Sequence, residues 1–131
     1  MAILARSNQV NFKRQEVIAR SLTTNPNSNN DTVTQITSRA TGVTVNTTAG
    51  QITTDTTSLA AAGEATFTVT NNKVTAKSVP IVAVASGATG TTIAYVSAVA
   101  SGSFDITVAN LHASTAETGA LVINFVILGV E

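Results

Sequence analysis

His112 is the one imidazole in the chain, and it is the first place to look for chemistry. A hydrolase would use it to take a proton from Ser114 or Ser103, with Asp105 or Glu117 holding the ring. Those residues fall on or beside one loop, but nothing like a nucleophile elbow accompanies them, so His112 reads as a loop residue between strands. The carboxylates available for acid–base work are Asp55, Glu64, Asp105 and Glu117, each alone beside a turn, where solvation accounts for it. Metal binding is poorly served, with no cysteine, one histidine and no Asp-rich loop of the calcium type. Gly87-Ala88-Thr89-Gly90 is not a phosphate cradle, because no Lys-Ser/Thr follows it and no helical pattern opens there. Asn30-Asp31-Thr32 and Asn46-Thr47-Thr48 match the glycosylation sequon as chance products of a chain rich in Asn and Thr. The expectation is therefore a protein that is not an enzyme, with no catalytic, cofactor-binding or metal site.

The elements that carry these residues are strands. Roughly a quarter of the chain is Thr or Ser, and only 11% is charged, against about 25% in an average globular protein. Apolar character is carried by Val, Ile and Ala, with four Phe, one Tyr and no Trp. Thr, Val and Ile are stiff at χ1 and suit a pleated surface. They recur in spaced runs, which a disordered chain of similar polarity would lack. With 131 residues, one core is expected. Strands are expected near Val33–Ser38, Gly42–Asn46, Gln51–Thr54, Ala65–Asn71, Val79–Ser86, Thr92–Ala100, Ser103–Asn110 and Ala120–Val130. Gly50, Gly63, Asn71-Asn72, Gly87 to Gly90, Gly102 and Gly119 mark the turns between them. Such spacing predicts an all-β, about eight-stranded antiparallel β-sandwich of jelly-roll-like type. Phe67 and Val69 alternate with threonines, as Phe104, Ile106 and Val108 alternate with Ser103, Asp105 and Thr107, the pattern of strands with one wet face. Thr68-Val69-Thr70-Asn71 and Thr107-Val108-Ala109-Asn110 form a weak internal echo.

The N-terminal part is different. Residues 1–30 read as an extended arm and linker, and 31–131 as the sandwich body. The first 41 residues hold no glycine, and the body from Gly42 holds all eight. Net charge is zero overall, but Arg6, Lys13, Arg14 and Arg20 face only Glu16 in the arm, leaving the body acidic. Lys13 to Arg20 could form a helix too short to stand alone in water. An arm that also carries Phe12, Val17 and Ile18 is expected to lie along another surface. Its charge is thin for nucleic acid, which the acidic body also disfavours.

The last run, Ala120–Val130, is apolar on both faces. Leu121, Ile123, Phe125 and Ile127 share one side, and Val122, Val126, Leu128 and Val130 share the other. A small sandwich covers one face of a strand, so the second set is the expected subunit interface, with a covering loop or arm as the alternative. The run is too short to span a bilayer, and the N-terminus lacks the pattern of a signal peptide, so no membrane contact and synthesis in a cytoplasm are expected.

The body also resembles a family of small β-domains in virion structural proteins of tailed phages, marine and cyanobacterial ones in particular. The resemblance spans about 33–128. It is carried by Val33-Thr34-Gln35-Ile36-Thr37-Ser38, Thr41-Gly42-Val43-Thr44-Val45-Asn46, Gly50-Gln51-Ile52-Thr53 and Ser58-Leu59-Ala60-Ala61. It continues through Phe67-Thr68-Val69-Thr70-Asn71, Ser86-Gly87-Ala88-Thr89, Gly102-Ser103-Phe104 and Glu117-Thr118-Gly119-Ala120-Leu121-Val122-Ile123-Asn124-Phe125. Most are turn and strand residues, more informative about fold than role. Leu128-Gly129-Val130-Glu131 stands where the family carries a Lys-Gly, and the arm lies outside the resemblance.

The resemblance implies a trimeric capsid decoration (cement) protein of a bacteriophage. Such a protein sits on the capsid surface of the virion and stabilises the shell by binding the major capsid protein. Arg6, Phe12, Lys13, Arg14, Val17, Ile18 and Arg20 are then the expected capsid-binding residues of the arm. The alternative is a fibre, spike or tail-tip component whose body binds a host receptor or glycan. That role wants an exposed aromatic platform, and only Tyr95 and Phe104 are on offer.

Overall fold

Eight strands follow one another through residues 32–129, the part of the chain that the computed structural model describes. They are β1 (Thr32–Thr34), β2 (Val43–Thr44), β3 (Ala49–Thr53), β4 (Glu64–Thr70), β5 (Val79–Ser86), β6 (Thr92–Ala100), β7 (Ser103–Asn110) and β8 (Val122–Leu128). The arm residues Arg6, Phe12, Lys13, Arg14, Val17, Ile18 and Arg20, and Val130 at the other end, lie outside the described residues. The strands form two four-stranded sheets, β1-β3-β8-β5 and β2-β4-β7-β6, which make a β-sandwich.

The order follows from how the chain alternates. Successive strands from β1 to β6 cross between the sheets, and only β6 and β7 are sequential neighbours within one sheet. Two crossings return the chain in its original direction, so β1 pairs with β3, and β2 with β4, in parallel. An odd number of reversals separates the remaining partners, and those pairs are antiparallel, as expected for the whole sandwich. The β6–β7 hairpin closes through Ser101 and Gly102, the latter at φ +85°, a left-handed conformation glycine adopts without a Cβ clash.

Differences from the expected strand ends have local causes. β1 stops at Thr34 because the Gln35 side chain turns inward, donating to the carbonyls of Arg39 and Thr41. Gly50 marks no turn, since it pairs with Phe125 inside β3. β8 starts two residues late because Thr54 claims Leu121: the Thr54 amide donates to the Leu121 carbonyl, and the Thr54 hydroxyl accepts from the Leu121 amide.

The core is the meeting of the two inner faces. Phe67, Val69, Phe104, Ile106 and Val108 of the second sheet pack against Ile52, Ile123, Phe125 and Ile127 of the first. Phe104 and Phe125 join the sheets directly, with ring centroids 5.9 Å apart at 54°. Each such side chain, fully buried, contributes about 1.5–3 kcal/mol. The outer face of the second sheet explains the threonine content. Thr66 and Thr107 bond through their hydroxyls at 2.7 Å, Thr107 donates to Ser97, and Thr68 donates to Asp105. Cross-strand hydroxyl pairs of this kind hold register while keeping the face polar.

The internal echo has a structural counterpart. Asn71 and Asn110 end β4 and β7 in the same way, each buried and each accepting at its side-chain oxygen from the amide two residues on. Their side-chain amides reach the carbonyl of Thr47 in one case, and those of Leu59, Ala60 and Thr115 in the other. The repeated Asn is thus a device for ending a strand and tying the next loop down.

Candidate interaction face

β8 is interior to its sheet, with β3 on one side and β5 on the other. Its inner residues Ile123, Phe125 and Ile127 are buried, as the pattern required. The outer set behaves differently: Val122 and Val126 are half-buried, and Leu128 is exposed. Val122, Val126 and Leu128 therefore occupy one surface, and β5 extends it. Val126 pairs with Ile81, and Leu128 with Val79, so the aliphatic side chains stand in adjacent rows. Val79 is 48% exposed and Ile81 49%.

Sequence analysis singled out β8 and missed β5. The signal was present in Val79-Pro80-Ile81-Val82-Ala83-Val84, which is apolar on both faces like β8. Pro80, Val82 and Val84 take the inner side, leaving Val79, Ile81 and Ala83 outside. Pro80 is tolerated because β5 is an edge strand, where a missing donor breaks no second ladder. Between β5 and β8 a shallow groove of about 220 Å³ is lined by Ile81, Val82, Ala83, Asn124, Phe125 and Val126. The outward positions of β3 and β8 add Gln51 and Asn124, bonded to each other at 2.9 Å, and no charge. A charge-free aliphatic surface bordered by a Gln–Asn pair favours a contact made by burial rather than by ion pairing.

The residues tested for chemistry are placed otherwise. His112 accepts at Nδ1 from the amides of Ser114 and Thr115, at 3.2 and 3.0 Å, so that nitrogen is committed to holding its own loop. It borders a cleft of about 200 Å³ with Thr89, Asn110, Thr115 and Glu117. Glu117 overturns the expectation of a solvated turn residue, being only 1% exposed. Its carboxylate accepts from the Thr89 amide, the Thr89 and Thr92 hydroxyls and the Gly119 amide, at 2.7–2.9 Å. With those four bonds made, the carboxylate is a structural clasp with little capacity to act as a base. Burial pushes its carboxyl up, but the bonds from Thr92, Gly119 and Thr89 more than reverse this, lowering the pKa from 4.5 to about 2.

Arg39, also buried, joins the same network through its guanidinium. Nη1 donates to the Thr54 hydroxyl, Nη2 to the carbonyls of Gly119 and Glu117, and Nε to that of Thr57. Burial lowers its pKa while Glu117 and then Asp55 raise it. Among the described residues no three of His, Asp or Glu approach closely enough to hold a metal ion. Phe104, considered for a sugar platform, is 1% exposed and belongs to the core, which leaves Tyr95 with its hydroxyl 3.3 Å from Glu64. No family model, curated protein or solved structure matches the chain.

The clasp implies a pH dependence. A carboxyl whose folded pKa lies below its unfolded value adds stability that is fully present above the unfolded pKa and is lost as pH falls through the folded one. The urea midpoint is expected to hold near neutrality and to fall steadily between about pH 4.5 and pH 2. In Glu117→Gln that acid limb should be visibly flatter, with a lower midpoint at pH 7. Asp55, lowered by the Thr57 hydroxyl, gives a residual slope of the same sign.

Proposed function

We propose that the chain is a non-enzymatic structural protein of a phage virion, a capsid decoration protein that binds the major capsid protein through its basic arm and stabilises the shell. The observation that carries the reading is the charge-free aliphatic face of β5 and β8, a surface suited to a neighbouring subunit. It is combined with a four-base arm and with reactive groups already committed to internal hydrogen bonds. The resemblance to small virion β-domains supports the same conclusion. In the assembled state Val122, Val126 and Leu128 would face adjacent copies in a trimer, while Lys13, Arg14 and Arg20 engage acidic capsid surface. Arms that reach onto a neighbour add contact and effective concentration to a body with a small core.

Deleting residues 1–24 tests the attachment. The core residues all lie between Val43 and Ile127, so the truncated body should fold. It is expected to stop co-sedimenting with capsid shells that the full chain saturates. Saturation by the truncated protein would sink the assignment of the arm.

A further inference from the structure

Four strands stand at sheet edges, β1 and β5 in the first sheet and β2 and β6 in the second. An edge strand offers unpaired amides and carbonyls to any other chain, and soluble proteins commonly blunt it by brevity, proline or charge. Three of the four are blunted. β1 has three residues and β2 two. In β5 the device is Pro80. The Ile127 amide donates to the Thr48 carbonyl at 2.7 Å, on the β3 side, so Pro80 and Ile127 form one of the unbonded pairs that alternate along an antiparallel ladder. The Pro80 nitrogen therefore faces the free edge and removes a donor there.

β6 is nine residues long and has neither proline nor charge. Just before it, the Leu111 amide donates to the Thr91 carbonyl. By the same alternation Ile93 and Tyr95 turn their backbone groups to β7, and Ala94 and Val96 turn theirs outward. No strand among the described residues pairs with that outward side. The open stretch is bounded at both ends. Thr92 is buried, with its hydroxyl given to Glu117, and the register shifts at Ser97, between Val96 and Ala98. Ala94 and Val96 pack against the core yet are only half-buried, so a further strand alongside would complete their cover as well as their hydrogen bonds.

A second β6 has matching groups. Two copies running antiparallel can set Ala94 opposite Val96 of the partner subunit, and each such pair then exchanges both of its backbone hydrogen bonds. Tyr95 falls opposite its own counterpart in this register. Its side chain is on the outer face and 38% exposed, beside Ile93 at 44%, so the rings meet as a cross-strand aromatic pair. The strand is uncharged, so its copy meets no repulsion along it. We propose that β6 pairs antiparallel with β6 of a second copy, about a two-fold axis at Tyr95, and extends the sheet β2-β4-β7-β6 across two subunits. The same patch serves on both sides, as a two-fold contact requires. The contact uses neither β8 nor the arm, so it goes beyond the capsid reading and stands or falls separately from it.

The chain has no cysteine, so one introduced thiol reports on the pairing. Tyr95→Cys puts two thiols on facing residues of an unbonded pair, whose Cα atoms stand about 4.5 Å apart, within disulfide reach. Mild oxidation of the full chain should give a covalent dimer on a non-reducing gel. In Ile93→Cys the two thiols are offset by about 13 Å along the strands, and the yield should be at least about tenfold lower. Tyr95→Lys sets like charges directly opposite at an exposed position and should lower the sedimenting mass at least about twofold, with an unchanged circular dichroism spectrum. Ala94→Pro removes an outward donor without touching the β6–β7 ladder and should lower the mass in the same way. Equal disulfide yields from Tyr95→Cys and Ile93→Cys would overturn this register. A mass unchanged from wild type in both Tyr95→Lys and Ala94→Pro would overturn the self-pairing and leave the edge to a strand of another protein.

Discussion

Glu117→Ala is expected to cost the domain about 3–5 kcal/mol, a large fraction of the roughly 5–15 kcal/mol that holds a typical domain folded. Four donors converge on this carboxylate, and alanine leaves all four without an acceptor. An unsatisfied buried donor costs about 1–3 kcal/mol, and full additivity would exceed the range given. The neighbouring cleft of about 200 Å³ limits the damage, because Glu117 lines it and water can enter to serve some of the donors. At roughly 4–8 °C per kcal/mol for a domain near 100 residues, the melting temperature should fall by about 12–40 °C. Glu117→Gln should cost about half as much, since its carbonyl oxygen still accepts while its amide opposes the remaining donors. Thermal melts of the two variants side by side give the comparison. Equal, small losses would show that the clasp is dispensable.

The clasp also fixes the start of β8. Glu117 bonds back to Leu59 in both backbone directions, at 2.8 and 2.9 Å, and its carboxylate gathers the loop between β5 and β6. Arg39 holds the carbonyls of Glu117 and Gly119, and Thr54 holds Leu121. The chain therefore enters β8 from a segment fixed on several sides. That fixation keeps Val122, Val126 and Leu128 in register with the outward row of β5, and the continuity of the aliphatic face depends on this register.

Much of this fold could be read from residue order, because period-two alternation and glycine or asparagine punctuation are local signals. Phe67, Val69, Phe104 and Ile106 announced their inward face, and the doubly apolar run of β8 announced a surface beyond the core. The parallel edges were not legible, since pairing of β1 with β3 depends on which sheet each crossing reaches. Nor was the clasp. Glu117, Arg39, Thr54 and Thr92 are spread over 79 residues of chain, and no spacing rule links a carboxylate to hydroxyls from distant loops. A Glu beside Gly119 has the appearance of a solvated turn, and only the folded chain shows that the turn is inside. The outer face of β5 was legible and passed over, because its alanines make a weaker pattern than the leucine and isoleucine of β8.

Gly119→Ala is expected to be as damaging as loss of the carboxylate, although it adds a single methyl. A Cβ at Gly119 would stand 2.0 Å from the Gly87 carbonyl oxygen and 3.0 Å from Glu117 Oε1. The obstruction is backbone, so no side-chain rotation relieves it, and the two segments must separate. The same residue donates its amide to Glu117 and gives its carbonyl to Arg39, at 2.7 Å in each case, so separation also pulls on both charges. Gly87→Ala meets the reverse of this contact, with its Cβ 1.9 Å from the Ala120 oxygen and φ at +86°. A loss of about 3 kcal/mol or more is expected for either variant. Gly102→Ala is the control, because it shares the positive φ but has nothing within 4 Å of the new methyl. It should lose only about 1–2 kcal/mol from backbone strain. Combining Gly119→Ala with Glu117→Ala should cost clearly less than the sum of the single changes, since the first already loosens what the second removes. Urea titrations of the wild type, the two single variants and the double variant would measure this coupling, and strict additivity would separate the glycine contact from the carboxylate clasp.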